Sequence, residues 1–201
     1  MDIKIIYENK DVLAIDKPAG IVVFPEGNIT QKTITDYLLE QQPELKNVGE
    51  APRYGIVHRL DKDTSGLLLV AKSPEALIFL QKQFKNREVE KKYIALATGI
   101  LKQDSGEIKT FIGRSSGDPR KQVVLESGDR EAITEFKVLQ RFENYTLLEL
   151  NMKTGRKHQI RCHLAYIHHP IAGDILYGFK DSPRPEGLTR QFLHAGYLKI
   201  K

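Results

Sequence analysis

Asp61 stands in the segment Tyr54 to Ala71, YGIVHRLDKDTSGLLLVA, where polar and charged residues run straight into the apolar stretch Leu67-Leu68-Leu69-Val70-Ala71. A carboxylate at the mouth of a strand that must be buried can act as a nucleophile or stabilise a developing cation. The same residues can also make a plain acidic turn, with Asp61, Asp63, Thr64 and Ser65 bonding to backbone and Gly66 supplying the special dihedral. Tyr93 lies in Lys91-Lys92-Tyr93-Ile94-Ala95-Leu96-Ala97, where strand alternation puts Tyr93, Ala95 and Ala97 on one face. A flat ring beside small residues leaves room for a ligand; the other reading is a core tyrosine with its hydroxyl satisfied.

A second group of charged residues sits in TGRKHQIRCHLAYIHH, Thr154 to His169. Thr154-Gly155 precede a helical pattern and Pro170 lies just past its end. Ile160, Leu164 and Ile167 form one core-facing stripe, and His158, Arg161, Ala165 and His168 form its neighbour, so Arg161 belongs at the margin of the core. Its position alone supports an ordinary ion pair with some acid. Arg156 and Lys157 fall in the expected first helical turn, where backbone N–H groups and positive side chains together suit a phosphate.

A metal-dependent phosphoesterase could draw on Asp61, Asp63, His58, His158, His163 and the His168-His169 pair. Their spacing does not recommend it. His158 and His163 are off the i, i+4 geometry of helical zinc ligands, and His168-His169 before Pro170 read as a helix end. No metal and no cofactor is expected.

These residues need one sizeable core, and 201 residues with 40% hydrophobic content supply it, so a single domain spanning 1–201 is the expectation. The net charge of +5 leans toward a polyanionic partner. Further basic residues gather at Lys82, Lys85 and Arg87, at Lys91 and Lys92, and at Arg114, Arg120 and Lys121. A single cysteine, Cys162, excludes an internal disulfide, and the start Met1-Asp2-Ile3-Lys4 has no signal-like apolar stretch. With no apolar run long enough to span a bilayer, the expectation is a soluble cytoplasmic protein, with no membrane partner.

Short strands are expected at Ile3–Tyr7, Val12–Asp16, Leu67–Ala71, Val89–Thr98, Ala132–Leu139 and Thr146–Met152. Helices are expected from Thr33 to Gln42, stopped by Pro43, and from Ser73-Pro74 to about Arg87, burying Leu77, Leu80 and Phe84. Gly106 to Gly128 reads as hairpins and loops. Strands outnumber helices and connections are of hairpin length, which predicts an α+β fold with a mixed, largely antiparallel sheet and flanking helices.

His58-Arg59-Leu60-Asp61 with Thr64-Ser65-Gly66 resembles the signature of the RluA-type pseudouridine synthases. The resemblance extends through Ile6-Tyr7-Glu8, Asp16-Lys17-Pro18-Ala19-Gly20, Lys92-Tyr93 with Ala95 and Gly99, Ile112-Gly113-Arg114 and Thr134-Glu135-Phe136. It continues through Thr154 to Arg161, Gly173-Asp174-Leu176-Tyr177-Gly178 and Phe192-Leu193-His194-Ala195, in order and over essentially the whole chain. It implies a catalytic domain with a central RNA-binding cleft that isomerises uridines in structured ribosomal or transfer RNA. Asp61 would be the nucleophile, Tyr93 a platform for an extruded uracil and Arg161 the partner of the aspartate. Arg59 would fill the gap left by a flipped nucleotide, with Lys92, Arg156 and Lys157 as further RNA contacts. His58 is assigned no chemical step beyond support of its loop. No obligatory protein partner is implied, and a monomer is the default.

This chain departs from that pattern in having Phe24-Pro25 where many relatives have His-Pro. It also starts without the S4-type RNA-binding module some carry and ends, at Leu198-Lys199-Ile200-Lys201, slightly earlier than many, so target choice is expected to rest on the catalytic domain or on partners. A competing reading is an RNA-binding or RNA-remodelling protein of the same fold in which catalysis is dispensable.

Overall fold

A computed structural model describes residues 3–26 and 30–201. Met1 and Asp2, which open the stretch read for a leader, lie outside them. The chain divides into two compact units, one made of residues up to Val89 with Leu198–Lys201, the other of Glu90–Tyr197.

In the first unit, β1 (Lys4–Glu8) and β2 (Val12–Lys17) form a hairpin, and β2 pairs antiparallel with β3 (Ser65–Ala71). Asn9 makes the hairpin turn, its Oδ1 accepting from the Asp11 and Val12 N–H groups at 2.9 and 2.8 Å. Alternation on β2 buries Leu13, Ile15 and Lys17. Helix α1 (Ile34–Gln41) starts where Thr33 and Asp36 cap each other's backbone N–H, and Pro43 begins a 3₁₀ turn rather than more helix. Helix α2 (Pro74–Lys85) has Ser73 as N-cap and Pro74 in its first turn, and packs against β3. It buries Leu77 and Leu80 as expected and leaves Phe84 half-buried. It stops short of Arg87, whose φ of 60° leaves the helical region.

In the second unit the strand order is β9-β4-β8-β7-β5-β6, with β4 (Glu90–Thr98), β5 (Ser105–Arg114), β6 (Gln122–Leu125), β7 (Glu131–Arg141), β8 (Tyr145–Met152) and β9 (Leu193–Lys199). The pairings of β4 with β8, β8 with β7, β7 with β5 and β5 with β6 are antiparallel. The predicted fold class is therefore the one observed. The charged stretch Gly106 to Gly128 is the β5–β6 hairpin, turned at Ser115, whose Oγ accepts from the Gly117 and Asp118 N–H groups.

Helix α3 (Gln159–Tyr166) is shorter than the spacing suggests. Its N-cap, His158, has φ 54°, and the side chain of Gln159 organises the residues before it. The Gln159 Oε1 accepts from Thr154 Oγ1 at 2.7 Å and Arg156 N at 3.0 Å, and its Nε2 donates to Ile133 O and Thr134 Oγ1. Residues 154–157 are thus a loop pinned to β7, and Arg156 and Lys157 do not stand in a first helical turn. The helix packs on β6 and β7, with Ile112, Ala132, Cys162 and Tyr177 clustered in the core.

Candidate active site

The turn that carries Asp61 is built around a buried cation. Lys17 is 0% exposed, and its Nζ donates to Pro18 O at 2.8 Å, Lys62 O at 3.0 Å and Thr64 O at 2.9 Å. The Gly20 N–H also reaches Lys62 O at 2.9 Å, and the Thr64 N–H closes the turn on Asp61 O at 3.1 Å. Gly66, at φ 117°, lets the chain leave the turn directly into β3 opposite Lys17. Leu60 and Thr64 are buried while Asp61 between them is half-buried, so the backbone is fixed and the carboxylate lies at its edge.

His58 supports this loop, as its sequence context suggested: Nε2 accepts from the Leu69 N–H at 2.9 Å, and the ring stacks on Phe84 at 5.0 Å. Arg59 forms an ion pair with Glu26 and lies over the Phe24 ring at 5.2 Å; Arg53 lies over the same ring at 4.7 Å. Burial pulls the Arg59 guanidinium below its ordinary pKa, and the charge of Asp61 works in the opposite direction. Phe24, at the point of departure from the family pattern, is thus a buried surface between two arginines.

On β4, Tyr93 is 8% exposed while Ala95 and Ala97 are wholly buried, so the expected common face of one ring and two small side chains exists. Lys92 lies between two carboxylates, 3.4 Å from Glu149 and 3.7 Å from Glu90. Its neighbour Lys91 is held below its ordinary pKa by burial.

Arg161 is 6% exposed and grips Asp174 with two bonds, Nε to Oδ2 at 2.7 Å and Nη2 to Oδ1 at 2.9 Å. Burial would raise the Asp174 carboxyl, but the hydrogen bonds and charge of Arg161, joined by the Tyr177 and Leu176 N–H groups, hold it below the usual carboxylate range. The Tyr177 ring lies 5.1 Å from the guanidinium. Arg156 spends its Nε on Glu131 O at 3.0 Å, and Lys157 is exposed. Among the other basic residues, Arg114 bonds Pro119 O and Arg120 pairs with Asp118.

His163 is 0% exposed, with Nε2 2.9 Å from Thr110 Oγ1 and Nδ1 2.9 Å from Thr134 Oγ1; burial lowers its pKa to about 4. Both ring nitrogens of this would-be metal ligand are thus engaged by hydroxyls. Among the described residues no group of three or more His, Cys, Asp or Glu is placed to hold a metal ion. No helix among them is long and apolar enough to cross a membrane.

The family model described as RNA pseudouridylate synthase matches residues 11–166, which include the Asp61 turn, Tyr93 and Arg161. The chain belongs to the RNA pseudouridylate synthase family. It is 45% identical over 188 residues to the "Uncharacterized RNA pseudouridine synthase" of Aquifex aeolicus, covering 92% of this chain and 59% of that protein. It is 44% identical over 204 residues to the "Ribosomal large subunit pseudouridine synthase D" of Nitrosomonas europaea, covering 98% and 58%. Among solved structures, "Human RNA Pseudouridylate Synthase Domain Containing 1" is similar with a TM-score of 0.82 at 28% identity, covering 99% of this chain and 78% of that one. The chain spans about three fifths of the length of the curated relatives it matches.

Within this family member, Asp61 and Arg59 lie in the first unit, and Lys92, Tyr93, Arg156, Lys157 and Arg161 in the second. Sequence reasoning passed over Lys17, Asp174 and Gln159, which do the holding. All three stand inside matched strings, Lys17 three residues before Gly20 at φ 88° and Asp174 directly after Gly173 at φ 78°.

Proposed function

We propose that this chain isomerises uridine to pseudouridine in structured RNA, with Asp61 as the nucleophile, Tyr93 as the stacking platform and Arg161 as a further catalytic side chain. The observation that carries the reading is the Asp61 turn, where a buried ammonium and three carbonyls fix the backbone around one half-exposed carboxylate. A surface that only bound polyanionic RNA would gain nothing from an acid held this way. In the reaction the base–sugar bond through nitrogen breaks, a bond through a ring carbon forms, and one proton leaves that carbon as another is taken up at the nitrogen. Composition is unchanged, which suits a site whose reactive group is a carboxylate. An aromatic face contributes about 1–3 kcal/mol of stacking to an extruded base.

The substrate class we favour is ribosomal RNA, with transfer RNA as the alternative, since relatives carry the name large ribosomal subunit pseudouridine synthase. The net charge of +5 supports a polyanionic partner, and Arg59, Arg156, Lys157 and Lys92 are the side chains proposed to meet it. Arg59 would exchange Glu26 for RNA. A cytoplasmic setting fits a chain whose single cysteine is buried and reduced.

Asp61→Asn decides the matter. Pseudouridine formation in ribosomal and transfer RNA transcripts is expected to vanish, with RNA affinity kept within about threefold. Full residual activity would overturn the assignment.

A further inference from the structure

Asp174 is more elaborately held than an ordinary ion-pair partner. Its side chain is 0% exposed and accepts four hydrogen bonds: two from Arg161, and one each from the Leu176 N–H at 2.9 Å and the Tyr177 N–H at 3.0 Å. The loop that carries it closes only because of its glycines. A Cβ on Gly173, at φ 78°, would stand 2.2 Å from Arg190 O, and one on Gly178 would stand 2.4 Å from Asp174 O. A second restraint comes from Tyr177, whose ring lies 5.1 Å from the Arg161 guanidinium. Its hydroxyl accepts from Gln122 N at 2.7 Å and lies 3.1 Å from His158 Nδ1. Arg161 is therefore constrained within its own plane by Asp174 and from its face by Tyr177.

A buried ion pair is a poor device for stability alone, because an apolar pair of the same volume holds a core as well or better. What the pair provides is direction, since a two-toothed carboxylate contact leaves a guanidinium no freedom to rotate. We propose that Asp174 is a positioning residue for the reaction: by gripping the Nε–Nη2 edge of Arg161 it sets the orientation in which that guanidinium acts. The inference rests on the reading in which Arg161 is a catalytic side chain.

The test is steady-state kinetics on an RNA substrate for Asp174→Asn, Asp174→Glu, Arg161→Ala and the double variant Asp174→Asn/Arg161→Ala, beside Asp61→Asn. Asp174→Asn should lower kcat by about a hundredfold, as a misplacement near 1 Å does, while KM stays within about threefold. Asp174→Glu keeps the charge and lengthens the arm, and should lose about tenfold in kcat. In the Arg161→Ala background Asp174→Asn should cost no further kcat, because the residue it positions is already gone. A merely structural Asp174 would give the opposite result, with losses that multiply. If Asp174→Asn does not fold, Asp174→Glu carries the test, and a kcat within twofold of the parent for whichever variant folds overturns the inference. Asp61→Asn separates the two levels: its retaining activity would sink the functional reading, whereas its inactivity beside a fully active Asp174 variant sinks only the positioning role.

Discussion

Replacing Lys17 with methionine asks how firmly the turn holds Asp61. The substitution removes three hydrogen bonds from a charged donor, to Pro18 O, Lys62 O and Thr64 O. Lys62 O keeps the Gly20 N–H, so two carbonyls lose the ammonium they are buried against. Each buried acceptor so deprived costs about 1–3 kcal/mol, and no longer burying an ammonium offsets part of the sum, leaving a net loss of about 3 kcal/mol. For a chain of this length that lowers Tm by roughly 6–12 °C. Activity should suffer more than stability at a temperature where the variant is folded, because a carboxylate displaced by about 1 Å loses on the order of a hundredfold in kcat. Thermal unfolding followed by circular dichroism reads the first effect, and release of tritium from RNA labelled at the uridine carbon that loses its proton reads the second. A variant that melts within 2 °C of the parent, by this ~3 kcal/mol scale, and keeps its kcat would show that Lys17 does not hold the turn.

Two other expectations concern a buried imidazole and a pair of glycines. His163 has its pKa lowered to about 4 against 6.5 in an unfolded chain. Above pH 6.5 neither state binds the proton and stability is full; as pH falls from 6.5 toward 4 only the unfolded state takes it up, and up to about 3 kcal/mol is lost. His163→Gln should flatten the stability–pH curve across that window relative to the parent, and an unchanged slope in chemical denaturation would contradict the assignment. Gly20 and Gly173 separate backbone strain from collision: both have positive φ, but a Cβ on Gly20 meets nothing within 4 Å, whereas one on Gly173 meets Arg190 O at 2.2 Å. Gly20→Ala should cost about 1–2 kcal/mol and Gly173→Ala at least twice that by denaturant titration, and equal losses would refute the distinction.

What could be read in the sequence was whatever is decided locally. Thr33 with Asp36, and Ser73 with Pro74, place two helix starts because a cap is a contact across three residues. Alternation on β2 shows which side chains are buried for the same reason, whereas β4 buries Leu96 along with Ala95 and Ala97. The start of α3 was misplaced because its register depends on Gln159 reaching back to Thr154 and across to β7, which no periodicity records. Strand β9 escaped notice because Leu193-His-Ala-Gly-Tyr-Leu-Lys lacks alternation, and its state is decided by a neighbour distant in sequence. The residues proposed for the chemistry, Asp61, Tyr93 and Arg161, stand out in the sequence, but Asp174, 13 residues beyond the arginine it grips, does not. Lys17 was hidden by expectation: a lysine is almost never wholly buried unless carbonyls or acids surround it, and two of its three carbonyls come from residues 45 and 47 positions away.

Phe24 has a consequence for how the Arg59 corner responds to its surroundings. Its ring supports both Arg53 and Arg59, with Glu26 as the acid of the group. A histidine in that place would gain or lose a proton between about pH 5 and 8, adding a third cation to the corner in mild acid and withdrawing it in mild base. Phenylalanine has no proton to exchange, so position 24 adds no charge to the corner at any pH. Ionic strength remains the lever on the corner, since salt screens the pairing of Arg59 with Glu26.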